Sequence, residues 1–181
     1  MVLPIAQYGH PILRTKGKVV AEITPAIKKL AADMLETMVD AEGVGLAAQQ
    51  IGQAIQLTVI DVQDSEERPS TMEIDGNQVA LADHMPLVLL NPKLEFTKEI
   101  EVGKEGCLSF PEISASIPRA AGVNVRATGL NGQEIRFSAT GLLARAVQHE
   151  TDHLHGILFI DRLSAVGKAS LAGKLKRLQK R

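Results

Sequence analysis

The sequence predicts an α+β domain: antiparallel or mixed β-sheets packed around a central helix, with one helix before it near the N-terminus and one after it at the C-terminus. Three observations carry that expectation. Apolar residues recur at helical spacing in three well-separated segments. Between the first two segments, short β-branched runs are divided by turn signals rather than by further helices. Nowhere do 18 apolar residues run together, so no membrane span is expected. At 181 residues, 45% hydrophobic and 23% charged, the chain has the length and composition of one globular domain, which excludes wholesale disorder. Aromatic residues make up only 3%, with no Trp and one Tyr, so the core must come from Leu, Ile, Val and Ala.

Each element has its own local reason. Thr24 precedes Pro25, an N-cap followed by proline at the first helical position, where its missing N–H costs nothing. Ile27, Leu30, Ala31, Met34, Leu35, Met38 and Val39 then keep helical spacing until Gly43, and Met34 and Met38 on this stripe read as core. Residues 43–53 (GVGLAAQQIGQ) read as a loop of small residues, and Ile55–Ile60 as a strand. Asp61–Pro86, with a turn at Asp75-Gly76, reads as a surface excursion without chemistry. Strands are expected over Leu87–Leu90, Lys93–Val102 and Ser114–Ile117, with Asn91-Pro92 as punctuation. Val123–Thr128 and Glu134–Ser138 flank Asn131-Gly132, a hairpin signal. Thr140 is positioned to cap a helix that runs to about Leu154 and stops at Gly156. Ser164 caps a last helix whose Leu171, Leu175 and Leu178 share a face.

A net charge of −1 argues against a protein that coats nucleic acid generally. It hides an asymmetry. Residues 162–181 carry seven basic side chains (Arg162, Lys168, Lys174, Lys176, Arg177, Lys180, Arg181) and no acidic one, leaving 13 Lys/Arg against 21 Asp/Glu in the remainder. The chain therefore divides into a body, 1–161, and a basic helical tail, 162–181. Two readings of the tail are even: a solvated helix closing the domain, or a salt-sensitive contact to RNA phosphates. The opening residues lack the apolar core of a signal peptide and the single Cys suits a reducing compartment, so a cytoplasmic location is expected.

The central helix contains His149-Glu150-Thr151-Asp152-His153, an H-E-x-x-H pattern. Residues four apart stack on one helix face, so His149 and His153 can share a metal ion, with Glu150 close enough to act on a ligand of that ion. A third protein ligand is needed. The histidine a metzincin would supply is replaced by Phe159; Asp161 and Glu134 remain candidates, and either as third ligand would make the alternative an H-E-x-x-H metallo-endopeptidase. The better one is Cys107, in Glu105-Gly106-Cys107-Leu108-Ser109, where the neighbouring glycine permits close backbone approach to a substrate. His10, His84 and His155 read as surface residues. Asp152 faces away from Glu150 and suits a structural pairing, with Arg119 as partner. A third segment, Gly43–Gln50, combines small residues with amide side chains that can donate to a developing oxyanion.

Together GVGLAAQQ, EGCLS and QHETDHLHG, in this order and spacing, resemble the peptide deformylase family, with likeness running from HPILR near the start to Gly156. The resemblance implies a metal-dependent hydrolase that removes the N-formyl group from formyl-methionyl nascent polypeptides. It implies one divalent metal ion held by Cys107, His149 and His153, with Fe²⁺ the native metal and Zn²⁺, Ni²⁺ or Co²⁺ accepted. Glu150 would be the acid/base, and Gln50 and the Leu108 backbone N–H the oxyanion donors. Val44, Gly45 and Gly106 would bind the peptide backbone as an added strand. The methionine side chain would enter a pocket of Val44, Leu142, Ala146 and the His149 ring. For some bacterial members the C-terminal helix docks on the ribosome, which gives the basic tail a partner. The 61–86 segment is the conspicuous departure from the family pattern.

Overall fold

The computed structural model describes residues 1–180 and contains three α-helices and two antiparallel sheets. Helix α1 (Pro25–Asp40) starts where Thr24 Oγ1 accepts from the Ile27 N–H, and it buries Ala31, Met34 and Met38. Val39, expected on the same stripe, is exposed, because it stands a full helical step away from Met38 in the last turn. Strands β1 (Gly45–Ala47), β2 (Leu57–Ile60), β3 (Ser70–Ile74), β4 (Asn77–Gln78) and β5 (Leu87–Phe96) follow. After them come β6 (Ile100–Gly106), β7 (Ser114–Ala120), β8 (Gly122–Thr128), β9 (Glu134–Thr140), α2 (Gly141–Leu154) and α3 (Ala165–Gln179). The larger sheet has the order β1-β2-β5-β8-β9-β3-β4, and β6 and β7 form the second.

Helix α2 lies between the two sheets, with thirteen of its fourteen residues buried. Leu142, Leu143, Ala146 and Val147 pack with Met72, Val123, Phe137 and Ala139 of the larger sheet. This central placement is what the sequence predicts for the helix. Apolar stripes on the other two helices complete the core: α1 covers Leu46, Leu57 and Val59, and α3 sets Leu171 and Leu178, with half-buried Leu175, against Leu13, Phe110 and Phe159. The basic residues Lys168, Lys174, Lys176, Arg177 and Lys180 are exposed, and Arg181 lies outside the described residues.

Several further expectations are corrected. The 61–86 segment is not an excursion: β3 pairs with β9, and Met72 is buried in the core. It also supplies the start of α2. Thr140 makes no side-chain cap there; instead Ser70 Oγ accepts from the Leu143 N–H at 2.8 Å and Pro69 O from the Leu142 N–H at 3.3 Å. Gly141, at φ +68°, makes this crossing feasible, since a Cβ there would sit 2.1 Å from Pro69 O. Second, 43–53 is not a plain loop: Gly45 pairs with Ile60 across β1 and β2, and Ala48–Ile51 forms a 3₁₀ turn. Third, Asn91-Pro92 bulges one continuous strand instead of separating two, and the real break falls between Phe96 and Ile100, where the chain changes sheets. The Asn91 side chain exchanges two hydrogen bonds with the Val20 backbone, so the bulge anchors the N-terminal segment. Finally, His84 is half-buried instead of lying on the surface.

Candidate metal centre and active site

Three elements converge beside α2. The helix presents His149, Glu150 and His153; the end of β6 delivers Cys107; and the 3₁₀ turn after β1 delivers Gln50. One donor atom each from Cys107, His149 and His153 lies within 4.8 Å of the others. Cys107 Sγ is 3.4 Å from His153 Nε2, and the two imidazole rings sit 5.0 Å apart. Burial holds His153 well below its ordinary pKa, which keeps its imidazole neutral and able to ligate. His149 Nδ1 lies 2.9 Å from Glu105 Oε1, so its N–H donates to that carboxylate and Nε2 is left for an ion. Deprotonated, as ligation requires, the Cys107 thiol and the two imidazoles are a donor set for a divalent transition metal. The fit is supported by Glu150 Oε2, which is buried beside the set without a hydrogen-bond partner. An acceptor left so is costly unless a ligand or a water completes it.

The other ligand candidates are occupied elsewhere. Asp161 pairs with Arg14 and accepts from the Leu158 N–H, while Glu134 pairs with Arg126 and Arg136 on the exposed hairpin. His155 is exposed, and His10 accepts from the Ile12 N–H at the start of a short turn.

The remaining expected residues, Val44, Gly45, Gly106, Leu108, Leu142 and Ala146, line one cleft of about 690 Å³. Glycine at position 45 leaves room for the Glu150 carboxylate, since a Cβ there would stand 2.5 Å from Glu150 Oε1 and displace it. Burial pushes Glu150 up to about 7, well above an ordinary carboxyl. Gln50 is fixed by its own oxygen, which accepts from the Ala47 N–H at 2.9 Å, so its amide nitrogen points at Ser109 Oγ (3.1 Å) and Cys107 Sγ (3.6 Å). The Leu108 N–H finds no acceptor among the described residues. A larger groove, about 1270 Å³, lies behind α2, but its charged floor residues Arg119, Asp152 and Arg162 are paired with one another, so size alone does not mark the chemistry.

The sequence reading missed Glu105 and Arg145. Glu105 Oε2 accepts from Arg119 Nε and Arg145 Nη1, both at 2.8 Å, while Oε1 accepts from Arg119 Nη2 and His149. Burial alone would raise this carboxyl, but the hydrogen bonds from Arg119 and His149 and the charge of Arg119 hold it far below the usual range. The anticipated Asp152–Arg119 pair is present at 2.7 Å and is extended by Arg162. A signal for Arg145 existed: a lone cation in the run Leu142–Val147 of a buried helix must have a buried partner.

A family model described as polypeptide deformylase matches residues 2–169. A peptide deformylase from Methylacidiphilum infernorum is 44% identical over 180 residues, covering 99% of this chain and 94% of the relative. The peptide deformylase structure from Thermus thermophilus superposes with a TM-score of 0.83 at 36% identity, covering 99% of both chains. One from Synechococcus elongatus in complex with actinonin gives a TM-score of 0.80 at 36% identity, covering 97% of this chain and 85% of that one. Likeness in both sequence and fold thus extends over nearly the whole molecule, and the chain belongs to the polypeptide deformylase family.

Proposed function

We propose that this enzyme hydrolyses the formyl–nitrogen bond at the N-terminus of formyl-methionyl nascent polypeptides, with Cys107, His149 and His153 holding the required divalent metal. The observation that carries the reading is Glu150: a buried carboxyl with one unpartnered oxygen, beside a three-donor set and lining a peptide-sized cleft. When bound, the cation supplies Lewis acidity, acidifying a water and polarising the formyl oxygen.

The chain's own residues account for the rest. Glu150 takes a proton from the attacking water and gives it to the leaving nitrogen as the carbon–nitrogen bond breaks, so that formate and a free α-amine result. The Gln50 amide and the Leu108 N–H donate to the oxyanion that forms on the carbonyl; each such donor is worth about 2.7–4 kcal/mol in the barrier. Gly45 lets the substrate backbone approach Glu150, and Val44, Gly45 and Gly106 offer it main-chain partners as an added strand. The methionine side chain enters between Val44, Leu142 and Ala146, alongside the His149 ring. A formyl carbon bears only hydrogen, so a tight cleft discriminates against ordinary peptide bonds by shape.

Fe²⁺ is the metal we assign, with Zn²⁺, Ni²⁺ or Co²⁺ as substitutes that the same mixed S/N donors accept. The body, 1–161, carries the catalysis in the cytoplasm. The exposed cations of α3 give the tail a ribosomal RNA contact. No helix of the described residues is long and apolar enough to cross a membrane. The test is formate release from formyl-Met-Ala-Ser by protein prepared without oxygen and loaded with Fe²⁺ or Ni²⁺. Formate is expected; none from metal-replete protein contradicts the reading.

A further inference from the structure

The stripe of α2 that borders the cleft is not uniformly apolar. Leu142, Ala146 and His149, assigned above to the first side chain of the substrate, stand at helical spacing. Arg145 falls on the same stripe, one turn from Leu142 and one from His149, and borders the same cleft. Its charge is neutralised by Glu105, but its donors are not all used. Nη1 donates to Glu105 Oε2 at 2.8 Å and to Ile117 O at 2.7 Å, and Nη2 donates to Glu101 O at 3.0 Å. A guanidinium has five N–H groups, so the Nε–H and one N–H of Nη2 have no acceptor among the described residues. Nε is not sealed in the interior: solvent reaches it, and the cleft is the space that Arg145 borders.

The strand opposite leaves that edge of the guanidinium uncovered. Alternate residues of β6 share a face, so Gly103 and Glu105 both turn toward Arg145. Glu105 engages it, whereas Gly103 has no side chain to lay over it. A Cβ at 103 would stand 2.9 Å from Cζ and Nη2 of Arg145 and 3.0 Å from Nε, and would push the guanidinium aside. The pocket for the first side chain thus joins apolar Val44, Leu142 and Ala146 to a neutralised cation with spare donors. A thioether, a weak acceptor, has little use for them. Oxidation puts a polar oxygen on that same sulfur, and in a pocket without a donor this oxygen would lose its water with nothing in exchange.

We propose that Arg145 makes the first-residue pocket accept methionine sulfoxide, so that formylated chains whose first methionine has been oxidised are substrates as well. This rests on the deformylase reading of the cleft and widens its substrate class. The experiment compares kcat/KM for formyl-Met-Ala-Ser, for each sulfoxide epimer of that peptide, and for formyl-norleucyl-Ala-Ser, which keeps the shape without the acceptor. Ratios between peptides on one metal-loaded preparation cancel any loss of metal or of folded protein. The parent is expected to process the better epimer within about tenfold of the methionine peptide, with the difference in KM. Arg145→Met removes the donors and should lower the sulfoxide/methionine ratio about tenfold or more, leaving the norleucine/methionine ratio little changed. Gly103→Ala, which displaces the guanidinium without deleting it, should lower the sulfoxide ratio in the same direction and decides the matter if Arg145→Met does not fold. A parent that rejects both epimers by more than about a hundredfold overturns the proposal while the deformylase reading stands. So does a sulfoxide ratio that neither variant lowers, or one that falls only in step with the norleucine ratio. No formate from formyl-Met-Ala-Ser itself removes both.

Discussion

Two glutamates flank His149 and are equally buried, yet the protein treats them in opposite ways. Glu105, on the scaffold side, has both oxygens engaged by Arg119, Arg145 and His149 and stays ionised far below the usual range. Glu150, on the cleft side, has an oxygen with no partner, and burial pushes it up to about 7. The difference is in satisfaction, not in depth. Where every lone pair is used, a buried carboxylate holds structure together; where one is left open, it can hold and release a proton.

The largest effect should come from the open side. Glu150→Gln keeps the shape and removes the base, so kcat is expected to fall by about 10²–10⁴ with the metal retained, as read by steady-state formate release alongside metal analysis. Glu105→Gln probes the satisfied side. It frees His149 to rotate and leaves two buried arginines short of charge, so metal should be lost about 10- to 100-fold more readily to a chelator, with a lowered Tm as a second readout. A variant that kept parental metal affinity would remove the orienting role from Glu105.

The same pair predicts two pH dependences of different kind. Glu150 must be ionised to accept a proton, so kcat/KM should rise with pH through an acid limb at or below about 7, because a bound cation favours the carboxylate. Glu105 instead governs stability. Its folded pKa is depressed below the unfolded 4.5, so its contribution is complete above that value and is lost as pH falls beneath it, a trend that acid unfolding of Glu105→Gln should show weakened. The smallest effect lies at the helix start. Ser70→Ala removes the acceptor for the Leu143 N–H and should cost about 1 kcal/mol in denaturant unfolding, with little change in kcat.

What the sequence made legible follows from distance along the chain. His149, Glu150 and His153 belong to one helix, so their spacing alone places them together, and Thr24, Ser164 and Asn131-Gly132 act on residues only a few positions away. Cys107 and Gln50 are remote from that helix, and only the joint presence of three motifs linked them to it. Glu105 and Ser70 escaped notice because their partners, His149 and Leu143, lie 44 and 73 residues away and leave no local pattern. Composition misled for Asp61–Pro86. Its polar residues suit an exposed stretch, yet Met72 is buried and Ser70 caps α2, and neither contact is visible without the register of β3 on β9.

Metal content and turnover of Glu150→Gln, measured together on formyl-Met-Ala-Ser, test the division between the two sides most directly. Full metal occupancy, parental Tm and formate release below about 1% of the parent are predicted. Turnover near the parental rate, or a variant that no longer holds its metal, would contradict the assignment of Glu150 to chemistry and of the Cys107–His149–His153 set to the ion.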